Sequence, residues 1–136
     1  MRYMGIDYGD SRVGVAVSDP LGITSQGLET IPNKVYDKMI TRISELINEY
    51  SPDKIIVGMP KNMDGTIGKR GEISQKFVDD LSKVYPDAEY ILWDERLSTV
   101  QASRVLNETN TRGKKRKNVI DTVAASIILE SYLGSL

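Results

Sequence analysis

The sequence predicts an α/β fold, a mixed five-stranded sheet with helices on both faces. Two strand-like runs at the start, 2–8 and 12–18, flank the turn residues Gly9-Asp10-Ser11 and read as an antiparallel hairpin. Further strand-like runs then alternate with stretches of helical spacing, an order that lays helices on a sheet containing parallel strands. The run from Lys54 to Gly58 is short and apolar after its lysine, as strands buried on both faces are.

Each element has a local reason. Val13, Val15 and Val17 alternate with smaller or polar residues, a period of two. Thr24 to Ile31 forms the third strand, with a weaker pattern. Asn33 or Asp37 starts a helix whose apolar face is Met39, Ile40, Ile43, Leu46, Ile47 and Tyr50, and Ser51-Pro52 stops it. Met59 to Gly71 reads as a polar loop carrying Pro60, Gly65, Gly68 and Gly71, of a length that often serves function. A helix through Ile73, Phe77, Val78 and Leu81 ends at Pro86-Asp87, and Glu89 to Trp93 is the fifth strand. Ser98 caps a helix to about Asn107, and Asn118 caps the last one, to about Leu133. The expected order is β-β-β-α-β-α-β-α-α, one domain over residues 1–136. With the first, fourth and fifth strands parallel, Asp7 and Glu95 share the carboxyl edge where open α/β sheets bind ligands.

Composition narrows the chemistry. The 40% hydrophobic and 27% charged fractions are those of a globular protein. With neither cysteine nor histidine, disulfides, thiol catalysis, a Ser-His-Asp triad and the usual zinc hydrolase sites are excluded. Carboxylates remain, and they suit oxygen-liking Mg²⁺ or Mn²⁺. No apolar run reaches the length of a membrane span and no signal-peptide pattern opens the chain, so cytoplasmic residence without membrane partners is expected. The net charge of −1 is no general nucleic-acid signature, but Arg112, Lys114, Lys115, Arg116 and Lys117 form a local basic block.

Asp7, Glu95 and Asp121 are the candidate catalytic and metal-binding residues, and each has a plainer alternative. Asp7, between Gly5 and Gly9, is either a ligand or the initiator of the following turn. Glu95 shares a strand face with Ile91 and Trp93; it is either a site residue, a partner of Arg96, or negative charge ahead of the helix capped by Ser98. Asp121 follows Asn118 at capping-pair spacing, yet it shares a helix face with Ala125 and Ile128, where an acid against packed protein needs a partner such as a metal. Contacts to a phosphate backbone are expected from Lys114, Lys115, Arg116 and Lys117, from Lys69 and Arg70, and from Arg12 and Arg96. Gly65 to Arg70 lacks the spacing and the hydroxyl of a Walker A loop. Tyr3, Tyr8, Tyr90 and Trp93 fit a core better than a base-stacking platform.

Four segments together resemble the YqgF/RuvX family over about residues 2–133. They are Gly5-Ile6-Asp7-Tyr8-Gly9 with Arg12, Gly14 and Ala16; Gly58-Met59-Pro60-Lys61-Asn62-Met63-Asp64-Gly65-Thr66; Asp94-Glu95-Arg96-Leu97-Ser98-Thr99; and Lys115-Arg116-Lys117-Asn118-Val119-Ile120-Asp121-Thr122-Val123-Ala124-Ala125. The resemblance implies an RNase H-like fold and a nuclease, either a Holliday junction resolvase or one that matures the 5′ end of pre-16S ribosomal RNA. It maps the family's acidic set onto Asp7, Glu95 and Asp121. Lys61 and Gly71 depart from the family pattern, in the loop rather than among the acids. Asp7 is then the expected central ligand for Mg²⁺ or Mn²⁺, completed by Glu95 and Asp121. The expected partner is nucleic acid, pre-rRNA or a DNA junction, and the expected state a monomer or weak homodimer. Two other readings stand beside this one. An RNA-binding ribosome-assembly factor would need only the basic block and the long loop. An actin-like nucleotide site also begins with such a glycine-aspartate strand, but those enzymes clamp nucleotide between two domains.

Overall fold

A computed structural model describes residues 1–60, 67–97 and 113–136, the side chains of 96 and 113–121 excepted. In chain order the elements are β1 (Tyr3–Tyr8), β2 (Arg12–Ser18), β3 (Ser25–Pro32), α1 (Tyr36–Tyr50), β4 (Lys54–Met59), α2 (Lys69–Val84), β5 (Glu89–Asp94), a 3₁₀ turn (Glu95–Leu97) and α3 (Gly113–Gly134). The five strands form one sheet in the order β3-β2-β1-β4-β5. β1 and β3 each run antiparallel to β2, whereas β1, β4 and β5 are mutually parallel, as expected.

The period of two sorts each strand between two cores. Met4, Ile6, Val13, Val15, Ile55 and Val57 point to one face, where Met39, Ile43 and Ile47 of α1 and Phe77 and Leu81 of α2 cover them. Tyr3, Ala16 and Ile56 point to the other, beneath Ala125, Ile128, Leu129 and Tyr132 of α3. Full burial of one such aliphatic or aromatic side chain stabilises by about 1.5–3 kcal/mol. Gly5 lets α3 sit directly on β1: a Cβ there would lie 2.8 Å from the Ala125 carbonyl oxygen and 2.8 Å from Leu129 Cβ. The aromatics are core, as expected. Trp93 meets Tyr132 edge-on and donates its indole N–H to Ser131, and Tyr8 packs on Phe77.

Three local expectations are corrected. Asn33 does not start α1: Val35 holds the cap position without a side-chain bond, and Asp37 lies in the first turn. The Asn33 amide instead reaches the Gly9 carbonyl at 2.9 Å. The Met59–Gly71 loop is shorter than predicted, because α2 already begins at Lys69. Nor does Asn118 cap the last helix. That helix begins at Gly113, so the basic run 114–117 is helical, and no acidic residue lies in its first turn. Lysine and arginine are good helix formers, so the helix extends through them past a residue that favours caps. The expected loop residues 61–66 and the expected helix from Ser98 to Asn107 lie outside the described residues.

Candidate nuclease site

The register of the parallel strands positions the acids. Ile6 pairs with Val57, so Asp7 lies level with Gly58. Gly58 pairs in turn with Trp93 of β5. Two residues beyond Trp93, Glu95 opens the 3₁₀ turn, and its side chain folds back over β4. A Cβ on Gly58 would fall 2.7 Å from Glu95 Oε1, 3.0 Å from its Cγ and 2.6 Å from Ile128 Cδ1. Gly58 is therefore the seat on which the Glu95 carboxylate rests. In the sequence it showed as a glycine ending an apolar strand and opening the second family-like segment.

Asp7 and Glu95 line one cavity of about 170 Å³, together with Gly9, Asp10, Arg70 and Ser74. The Arg70 Nη2 donates to Asp10 Oδ2 at 3.2 Å across its mouth, with both side chains well exposed. Asn33 fixes the turn beside it: its amide donates to the Gly9 carbonyl and its backbone N–H to the Ser11 carbonyl, both at 2.9 Å. Sequence reasoning missed Asp10 and Ser74. Asp10 read as turn chemistry, and Ser74, 2% exposed on α2, had no distinguishing pattern.

Of the predicted acids, Asp7 and Glu95 are brought together. Asp121 is placed by its backbone alone. α3 runs antiparallel to β1, since Tyr132 meets Tyr3 while Leu129 and Ala125 meet Gly5. Position 121 precedes Thr122, which packs over Gly27 of β3. Among the described residues no three acids gather closely enough to hold a metal, and the Asp121 side chain is not one of those described.

Of the predicted cations, Arg70 lines the cavity and Lys69 is exposed at the start of α2. Arg12 opens β2, just past the turn. The side chains of Arg96, Lys114, Lys115, Arg116 and Lys117 lie outside the described set. Chemically, the cavity offers paired carboxylates and a guanidinium at its mouth, without imidazole or thiol. That donor set suits a hard cation and an approaching phosphate rather than a covalent nucleophile.

A RuvX family model, described as Holliday junction resolvase, matches residues 1–135. A protein of Halothermothrix orenii named "Putative pre-16S rRNA nuclease" is 56% identical over 134 residues, covering 98% of this chain and 95% of its own. One of the same name from Acetivibrio thermocellus is 52% identical over 136 residues, covering 99% and 96%. Among solved structures, RuvC of T. thermophilus in complex with a Holliday junction superposes with a TM-score of 0.61 over 99% of this chain and 96% of that one. At 13% identity that likeness concerns the fold alone, which is RNase H-like.

Proposed function

The chain belongs to the RuvX family, and from that membership we propose that it is a metal-dependent nuclease whose substrate is the 5′ end of pre-16S rRNA. The observation that carries the reading is the meeting of Asp7 and Glu95, from the ends of parallel strands, in one cavity beside Gly58. The fit to a divalent cation is good. The donors are carboxylate oxygens, and the missing Cβ of Gly58 leaves the space that Glu95 Oε1 occupies. Asp7 and Glu95 would hold the ion, with Asp121 as third ligand. Asp121 lies beyond the first turn of α3, which supports a ligand role over a capping one. Bound there, Mg²⁺ or Mn²⁺ would supply a Lewis acid to the phosphodiester and lower the pKa of the attacking water.

The chain's own residues bind and orient. Arg70 stands at the cavity mouth, where a phosphate oxygen can replace Asp10 as its acceptor. Lys114, Lys115, Arg116 and Lys117 crowd the first turns of α3, where the helix macrodipole disfavours cations. An RNA backbone laid along them offsets that cost. We place the reaction in the cytoplasm, carried out by one folded domain acting as a monomer or weak homodimer.

The test is cleavage of a pre-16S 5′-leader RNA and of a four-way DNA junction by wild type and Asp7→Asn, with Mg²⁺, with Mn²⁺ and with EDTA. RNA cleavage that needs the metal and is lost in the variant supports the reading. Cleavage of the junction alone would make the chain a resolvase. RNA binding without cleavage would leave an assembly factor.

A further inference from the structure

A second groove opens away from the acid pair, between the edge strand β3 and the start of α1, with a volume of about 390 Å³. Ile31, Pro32 and Val35 supply apolar lining, and Val35 is 51% exposed. Lys34, Lys38 and Arg42 supply positive charge against the carboxylate of Glu29. Arg42 is committed to that carboxylate, donating from Nε and Nη2 at 2.8 and 2.7 Å. Lys34 and Lys38 form no ion pair among the described residues, so the groove keeps their positive charge on a chain whose net charge is −1.

The groove and the acid cavity share no lining residue, but Asn33 links them. Asn33 lies between the groove residues Pro32 and Lys34, and its amide holds the carbonyl of Gly9, a residue of the acid cavity. Lys34 is thus one residue from the contact that holds the Gly9 turn.

We propose that this groove binds single-stranded RNA running on from the scissile phosphate, with a base against Pro32 and Val35 and phosphates on Lys34 and Lys38. The inference rests on the nuclease reading. An apolar surface for a base, flanked by cations for the backbone, is the chemistry of sequence-tolerant single-strand binding. Glu29, neutralised by Arg42, does not repel the strand.

The experiment measures binding of a fluorescent uridine oligomer, and of its DNA counterpart, by anisotropy over a range of salt. EDTA keeps the strand intact. In Lys34→Glu/Lys38→Glu, RNA affinity falls at least about tenfold, and the slope of log affinity against log salt becomes shallower by about 1.4, from about 0.7 per lost contact on a single strand. Lys34→Arg/Lys38→Arg restores both. Val35→Ser weakens binding without changing the slope. No variant melts below wild type, because these side chains are exposed and Val35→Ser puts a capping residue at the start of α1. Unchanged affinity and slope in the double glutamate variant, with wild type still binding RNA, would overturn the groove and leave the nuclease reading intact. That is also the result if a protein occupies it. Tighter binding of the DNA oligomer, equally lost in the variant, would overturn the assignment to RNA. Failure of wild type to bind either strand would overturn groove and nuclease reading together.

Discussion

Replacing Gly58 by alanine perturbs the acid pair without touching either acid. The new methyl would stand 2.7 Å from Glu95 Oε1 and 2.6 Å from Ile128 Cδ1, closer than carbon atoms pack. Both obstacles are the far ends of flexible side chains, so the backbone of β4 keeps its place and the two side chains yield. Overpacking of this kind costs about 1–3 kcal/mol, while removing glycine's freedom in the unfolded chain returns about 0.4–1 kcal/mol. The net loss is at most about 2.6 kcal/mol, a fall in Tm of less than about 10 °C for a chain of this size. Activity responds far more, since a displacement of about 1 Å at a reacting group costs about 100-fold in rate. The assay pairs thermal melting with kcat on the leader RNA. Ile128→Val separates the two effects, because it deletes the Cδ1 methyl and leaves Glu95 crowded. Gly58→Ala/Ile128→Val therefore regains part of the lost Tm and none of the lost kcat. Wild-type kcat in Gly58→Ala, or recovery of kcat along with Tm in the double variant, would refute the assignment of Gly58 as the seat of Glu95.

Other expectations concern charge. Mn²⁺ raises the Tm of wild type by binding only the folded chain, and the rise is lost in Asp7→Asn; calorimetry with and without EDTA checks this. Asp10→Asn releases Arg70 and removes a negative charge from the cavity mouth, so RNA affinity rises severalfold at low salt and the gain fades at high salt; anisotropy at two ionic strengths reads it. The hydrogen bonds from Arg42 hold the Glu29 carboxyl below its ordinary value of 4.5. The pair's contribution to stability is therefore fully present above that value and lost as pH falls through the lower folded-state one. Glu29→Gln lacks this part of the acid limb, so its Tm and that of wild type converge in acid.

The sheet was legible because its strands carry their pattern locally. The alternating valines of β2 and the apolar run of β4 each predict a strand without reference to anything distant, and the parallel trio then sets Asp7 and Glu95 on one edge. The start of α3 was not legible. Asn118 carries a cap signal, but the helix-forming lysines and arginine before it carry the helix back to Gly113. Asn33 misled for a related reason: its amide serves the Gly9 turn across the fold instead of the helix beside it. The role of Gly58 was hidden because it is defined by what rests on it. Glu95 and Ile128 arrive from other elements, and no window of sequence around Gly58 contains either.

The most direct test of the acid pair is anomalous diffraction from crystals soaked in Mn²⁺. The account predicts a peak within coordinating distance of Asp7 and Glu95, with Asp121 reaching it from α3, and its loss in Asp7→Asn. A peak elsewhere, or none at these carboxylates in crystals of a chain that cleaves RNA with Mn²⁺, would contradict it.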